Sequence, residues 1–268
     1  MKIIFLGTGG GRIVTVSQER HTGGIYIKGK RRIHIDPGPG AALLLKKEGL
    51  SPMETDAILV SHCHPDHYND AEVLMEGMYL KERKPRGALI APRSVTEGMD
   101  NIGPAISQYH QSRVSEVITA HPGRVISLGS LKVVPFKTYH NDPLSVGFII
   151  RGDEGNISYI SDTALHKSLL KHQNDIDLLL ILSVTRPLQS RIKYHLSTED
   201  AAYLIERIRP KMAIFTHFGR KALKSIPELQ AGWTYKKTRI KTVAAQDGMV
   251  LELKDGNVEL LREKWTDF

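Results

Sequence analysis

Seven consecutive residues, Ser61-His62-Cys63-His64-Pro65-Asp66-His67, hold three imidazoles and one carboxylate within six positions. The chain has only 12 histidines in 268 residues, so the cluster is not a matter of composition. Imidazole and carboxylate together suit zinc, iron or manganese better than calcium or magnesium. In extended backbone, side chains two positions apart share a face, so His62 and His64 can reach one ion. Pro65 discourages helix at His64, and the polar run from His67 onward can open one; Asp66 and His67 are adjacent, so they diverge from the first pair and can address a second ion.

The elements around the cluster follow from the pattern. Ala57-Ile58-Leu59-Val60 is a short, wholly apolar run, which predicts a strand buried on both faces that ends where the histidines begin. Met1 to Leu6 predicts a first strand, followed by a tight turn at Gly7-Thr8-Gly9-Gly10-Gly11. That loop has neither the lysine of a P-loop nor the glycine spacing of a dinucleotide fingerprint. Gly24 to Lys28 and Arg32 to Asp36 alternate about Lys28-Gly29-Lys30-Arg31 and predict a hairpin. Helices are predicted over Ala41 to Glu48 and Asp70 to Leu80, with short ones between Ser94 and Ser107. Strands are expected over Ala88 to Ile90, Ser127 to Phe136, Ser145 to Arg151, Ile157 to Ser161, Leu178 to Leu182 and Lys211 to Thr216. Ser197 or Thr198 caps a helix running to Ile208, and Met249 to Leu253 and Val258 to Leu261 close the chain as strands.

His-x-His-x-Asp-His after a strand resembles the signature of the metallo-β-lactamase superfamily, and other landmarks agree with it. Asp36 in Ile35-Asp36-Pro37-Gly38 is similar to the family's early aspartate. His140 in Thr138-Tyr139-His140, Asp162 in Ser161-Asp162-Thr163 and His217 in Thr216-His217-Phe218 resemble its remaining metal-site residues. The resemblance implies a four-layer αββα sandwich, two mixed β-sheets flanked by helices, formed by residues 1–268 as one domain. It further implies two divalent transition-metal ions (zinc, manganese or iron). One is held by His62, His64 and His140, the other by Asp66, His67 and His217, with Asp162 and a hydroxide between them. Asp66 would also orient the nucleophile, and Asp36 would support a ligating histidine through a hydrogen bond.

Within the superfamily, His195 in Tyr194-His195-Leu196-Ser197 resembles the non-ligand histidine of phosphodiesterases, which implies a proton donor to the leaving group or a stabiliser of charge on the phosphoryl oxygen. His140 and Asp162 stand 22 positions apart, room for a hairpin and little else. Ribonuclease Z carries a long arm between those landmarks, and a His-Glu-Ala-Thr motif where this chain has Ser183-Val184-Thr185. The cyclic phosphodiesterase of phosphonate degradation is more similar in this gap and in the Ser161-Asp162-Thr163-Ala164 motif. Its cysteine-bound structural zinc is impossible with one cysteine. The expected substrate is a small anionic phosphodiester, with RNA second and a thioester or lactone third.

Composition is consistent with these expectations. There are 37 basic and 29 acidic residues, a net charge of +8 that favours anionic partners. The single cysteine, Cys63, excludes an internal disulfide and fits a reducing, cytoplasmic location. Its side chain is expected to point away from the metals. No run approaches the length of a membrane span or a signal peptide. The resemblance and the basic balance together suggest a homodimer. The other six histidines outside the motifs (21, 34, 110, 121, 166 and 172) are expected to be structural.

Overall fold

In the computed structural model, residues 1–100, 102–173 and 176–265 are described. The first half of the chain supplies β1 (Lys2–Phe5), β2 (Ile25–Lys28), β3 (Arg32–Ile35), β4 (Ala57–Leu59), β5 (Ala88–Ala91) and β6 (Glu116–Thr119). A second sheet is built from β7 (Ile126–Leu128), β8 (Leu131–Lys137), β9 (Val146–Gly152), β10 (Gly155–Ile160), β11 (Leu179–Ser183), β12 (Met212–Thr216) and β13 (Lys241–Ala244). The chain then returns to the first sheet with β14 (Val250–Lys254) and β15 (Asn257–Arg262), which extend that sheet beyond β1.

Both sheets are mixed. In the first, β1 to β3 form an antiparallel meander and β3 to β6 run parallel; in the second, β7 to β10 are antiparallel and β10 to β13 parallel. Parallel neighbours need crossovers, and the helices that make them cover the outer faces. One apolar layer lies between the sheets, joining Ile3, Ile27, Ile33 and Leu59 to Phe148, Ile157, Ile181 and Ile214. A second packs helix Ala71–Leu80 and helix Ala41–Lys47 on the first sheet through Leu44, Leu45, Leu74 and Met78. A third packs helix Thr198–Ile208 on the second sheet through Ala201, Leu204 and Ile205. This is the αββα sandwich expected, and it explains why β4 and β11 are apolar at every position: each is covered on both faces.

Several local expectations change. Ser127 to Phe136 is two strands, because Gly129 adopts φ 62° and turns the chain between β7 and β8. The glycine loop after β1 does more than turn. It leads into helix Gly11–Ser17 and packs closely against His217. Strands β6 and β13 and helix Pro227–Thr238 had not been expected at all. Among the described residues, no helix is long and apolar enough to cross a membrane.

Candidate metal centre

The antiparallel and parallel pairings leave β1, β3, β4, β8, β10, β11 and β12 ending at one rim of the sandwich. The loops after those ends carry every candidate residue, as expected for sites at the carboxyl ends of strands. Asp36 follows β3, His62 to His67 follow β4, His140 follows β8, Asp162 follows β10 and His217 follows β12. His64 keeps an extended backbone and Pro65 opens the short helix Pro65–Tyr68, so the first two imidazoles and the Asp66–His67 pair part company as the sequence predicts.

The side chains converge in two groups. His62 Nε2 and His140 Nε2 each lie 3.0 Å from His64 Nδ1. His217 Nε2 lies 3.0 Å from His67 Nε2 and 3.3 Å from Asp66 Oδ2. Asp162 sits between the groups. Its Oδ2 is 3.8 Å from His140 Nε2 and 3.9 Å from His67 Nε2, while Oδ1 is 3.2 Å from His217 Nδ1. Nitrogen–nitrogen spacings near 3 Å are those of atoms sharing an ion at a metal–nitrogen distance of about 2.0–2.1 Å.

The surrounding hydrogen bonds fix which ring nitrogen is bare. His62 Nδ1 donates to Ser61 Oγ (2.9 Å), His140 Nδ1 to the Tyr194 carbonyl (3.2 Å) and His67 Nδ1 to Asp36 Oδ2 (2.8 Å). In each case the opposite nitrogen, the one in the cluster, is left to offer its lone pair. Asp162 Oδ1 is buried with no hydrogen-bond partner, an arrangement that is costly unless a cation satisfies it. The residues present therefore fit divalent metal binding.

Asp36 organises this support. Its carboxylate accepts from Ser61 N and Ser61 Oγ (both 2.7 Å), from His67 Nδ1 (2.8 Å) and from Tyr159 OH (2.7 Å), and it is buried. Asp36 and His217 both hold positive φ, 50° and 57°, which a side-chain-bearing residue adopts only at a cost. The cost at His217 is offset by the glycine loop. Phe218 N donates to Thr8 O and Gly10 N donates to Phe218 O, while a Cβ on Gly10 would lie 2.2 Å from the His217 ring. Gly11 N donates to Asp66 Oδ2 at 2.9 Å.

Electrostatics follow from crowding. Burial and the neighbouring imidazoles push His62 well below the ordinary histidine range, and burial also lowers His64 and His140. His67 goes the other way. Burial opposes its charge, but Asp36, Asp66 and Asp162 outweigh that and raise it to about 9. Asp162 is buried too, yet the surrounding histidines, His217 first, hold it at about 2.

Beside the cluster opens a cleft of about 880 Å³, with His64, Asp66, His140, Asp162 and His195 at its base. His195 Nδ1 lies 3.5 Å from Asp162 Oδ2 and 3.4 Å from Thr185 Oγ1, and the ring also falls in a ligand-like grouping with His140 and Asp162. Burial lowers the pKa of His195, and Asp162 counteracts this. Six cations line the cleft (Arg12, Arg186, Lys193, Arg220, Lys221 and Lys224) against two carboxylates, Asp66 and Asp162. The sequence singled out none of the six, and Thr185 only as part of Ser183-Val184-Thr185, where the chain departs from the ribonuclease Z motif. The cations come from three separate segments, Arg12 on helix Gly11–Ser17, Arg186 and Lys193 in the loop after β11, and Arg220, Lys221 and Lys224 on the short helix Arg220–Lys224, and Arg186 and Arg220 stand just past strand ends at this rim.

Cys63 points away from the centre, as expected. It packs against the outer apolar layer, and its backbone N–H donates to Asp142. None of the six histidines expected to be structural joins the metal-ligand groupings. His34 is buried and bonded to the Gly23 carbonyl.

Residues 31–218 match the model of the beta-lactamase superfamily domain, well over half of the chain. The chain belongs to the metallo-β-lactamase superfamily. It is a metal-dependent hydrolase by class. It is 37% identical to MJ1374 of Methanocaldococcus jannaschii over 259 residues, 96% of each chain. It is 28% identical to ribonuclease Z of Pyrococcus abyssi over 153 residues, 56% of this chain and about half (48%) of that one. Among solved structures, the superfamily protein YhfI from Bacillus subtilis superposes with a TM-score of 0.76 at 16% identity, covering 93% and 97% of the two chains. A diphosphatase from the PhnP family superposes at 0.71 and 19% identity, covering 94% and 98%.

Proposed function

We propose that this hydrolase is a two-metal phosphodiesterase acting on a small, anionic phosphodiester or nucleotide. The observation that carries the reading is the six-cation lining of the cleft above the metal-ligand cluster. A neutral thioester or lactone gains little from such a field, whereas a phosphodiester is drawn in and held by it. In this reading His62, His64 and His140 hold one ion, Asp66, His67 and His217 the other, and Asp162 serves both. Such ions supply Lewis acidity toward phosphoryl oxygens and make water a usable nucleophile near neutral pH.

The chain's own residues do the rest. Asp66 orients the attacking water, and the Gly11 amide fixes its carboxylate by donating to Oδ2. Asp36 holds His67 in its ring orientation. His195, engaged through Nδ1 by Asp162 and Thr185, keeps Nε2 for the leaving oxygen and gives it a proton. Burial keeps His195 largely neutral in the free protein, so the charge of the bound phosphodiester assists its protonation.

RNA is the second reading, supported by the ribonuclease Z match and the same cation lining. A small substrate is preferred because β9 and β10 form a plain hairpin between His140 and Asp162, with no arm to grip a folded RNA. The reading includes a homodimer, and a 30 kDa particle at all concentrations in light scattering would remove that part. The test of the activity is a comparison of metal-loaded protein on an aryl phosphodiester, a thioester, a lactone and a precursor tRNA. Turnover of the phosphodiester well above the others is expected; preference for the thioester or lactone would overturn the assignment.

A further inference from the structure

Arg186 differs from the other cations of the cleft. Arg12, Lys193, Arg220, Lys221 and Lys224 are exposed, and Arg220 is already paired with Glu19. Arg186 is half-buried, and its Nε is buried with no hydrogen-bond partner. No carboxylate among the described residues lies within ion-pair distance of it. A guanidinium taken partly out of water and left unpaired is a costly feature for a fold to keep, unless a ligand completes it.

Its placement is rigid. Arg186 stands three residues beyond the end of β11, next to Thr185, which touches both His195 and His217. Pro187 behind it keeps its backbone extended. Its N–H donates to Leu196 O (3.3 Å), and its carbonyl accepts from Thr198 N (3.1 Å). These bonds tie the segment to the His195 loop and to the start of helix Thr198–Ile208, so the guanidinium is delivered to the cleft from a fixed base on the same side as His195.

We propose that Arg186 is a substrate-binding residue of this site, a fork that grips the non-bridging oxygens of the phosphoryl group undergoing hydrolysis. This rests on the phosphodiesterase reading. The planar guanidinium presents paired N–H donors that match two phosphoryl oxygens, which a lysine ammonium does not. The exposed cations of the rim steer an anion inward, and Arg186 alone combines depth, an open valence and a fixed backbone. It selects for an anionic tetrahedral centre over a planar neutral ester.

The test pairs turnover with binding. Metal-loaded wild type, Arg186→Gln and Arg186→Lys are compared in kcat/KM on bis(p-nitrophenyl) phosphate, in affinity for inorganic phosphate by calorimetry, and in metal content. Arg186→Gln is expected to keep its metal, to lose about 10- to 100-fold in kcat/KM, and to bind phosphate at least about tenfold more weakly, as for the loss of a charged hydrogen-bond pair. Arg186→Lys should recover only part of either. Phosphate affinity unchanged in a metal-replete Arg186→Gln would overturn the proposal, as would full recovery of both quantities by lysine. If wild type fails to hydrolyse any phosphodiester, the functional reading falls, and the phosphate affinities still decide whether Arg186 is an anion fork.

Discussion

Replacing Asp36 by asparagine removes one charge and preserves shape, and its effect can be worked out from four contacts. Asp36 Oδ2 accepts from Ser61 Oγ, His67 Nδ1 and Tyr159 OH, and Oδ1 accepts from Ser61 N. An amide can keep its oxygen on the three-donor side only by turning its NH₂ toward the Ser61 N–H, leaving two donors face to face. The opposite flip breaks three contacts, so the first is favoured. The buried clash costs about 1–3 kcal/mol, within reach of a domain whose total stability is about 5–15 kcal/mol, and the variant should fold. The larger consequence falls on His67. Without a carboxylate on Nδ1 its ring is less basic and less fixed, and losing such a partner typically weakens metal affinity by about 10- to 100-fold. His62 meets Asp36 only through Ser61, so its ion should feel less. Competition with a chromophoric chelator resolves the two binding steps. The expectation is one step weakened by that factor and the other by less than about threefold. Two unaltered steps in a folded Asp36→Asn protein would refute the claim that Asp36 works through His67.

Three further outcomes are expected. His195→Ala should keep its metal and lose about 10²–10⁴-fold in kcat on an alkyl phosphodiester, less on an aryl one whose leaving group needs no proton, whereas His64→Ala should lose metal and activity together; metal loss in His195→Ala would make it a ligand. Cys63 is pushed up to about 12 by burial first and by Asp142 next, so iodoacetamide at pH 8 should label the native protein on the order of 10³-fold more slowly than the unfolded chain; equal rates would contradict its packing. His34 is held at about 4 by burial, below its unfolded value of 6.5. The unfolded chain therefore binds the extra proton between those values, and stability should fall by roughly 3 kcal/mol as pH drops from 6.5 to 4, then level off. Urea unfolding of wild type against His34→Gln isolates this contribution, and parallel pH profiles would show that His34 does not make it.

The sequence made some elements easy to read and hid others. Strands buried on both faces, such as β4 and β11, are unbroken apolar runs, and the ligand cluster follows one of them directly. Helix Thr198–Ile208 shows its apolar stripe and its Ser197–Asp200 capping box. β13 lies at a sheet edge, where a lysine and a threonine dilute the pattern over four residues. Helix Pro227–Thr238 carries Gly232, and polar or aromatic residues are scattered through all three turns, so no apolar stripe stands out. Of the proposed ligands, His62, His64, Asp66 and His67 were legible because spacing along the chain determines which side chains share a face, whereas His140, Asp162 and His217 were found only through the resemblance to the superfamily. The cation lining was not legible, because Arg12, Arg186 and Arg220 meet only when three distant strand ends reach one rim. Thr185 stood out only within a motif from which the chain departs, and the role of the glycine loop depends on how closely Gly10 approaches His217, which no local pattern encodes.

The most direct test of the phosphodiesterase account is a metal titration of activity. Protein stripped with a chelator is given zinc or manganese in sub-stoichiometric steps, and hydrolysis of an aryl phosphodiester is measured at each. The account predicts no turnover in the stripped protein and a rise that saturates at two ions per chain. Undiminished hydrolysis without metal, or no phosphodiester hydrolysis with two ions bound, would contradict it.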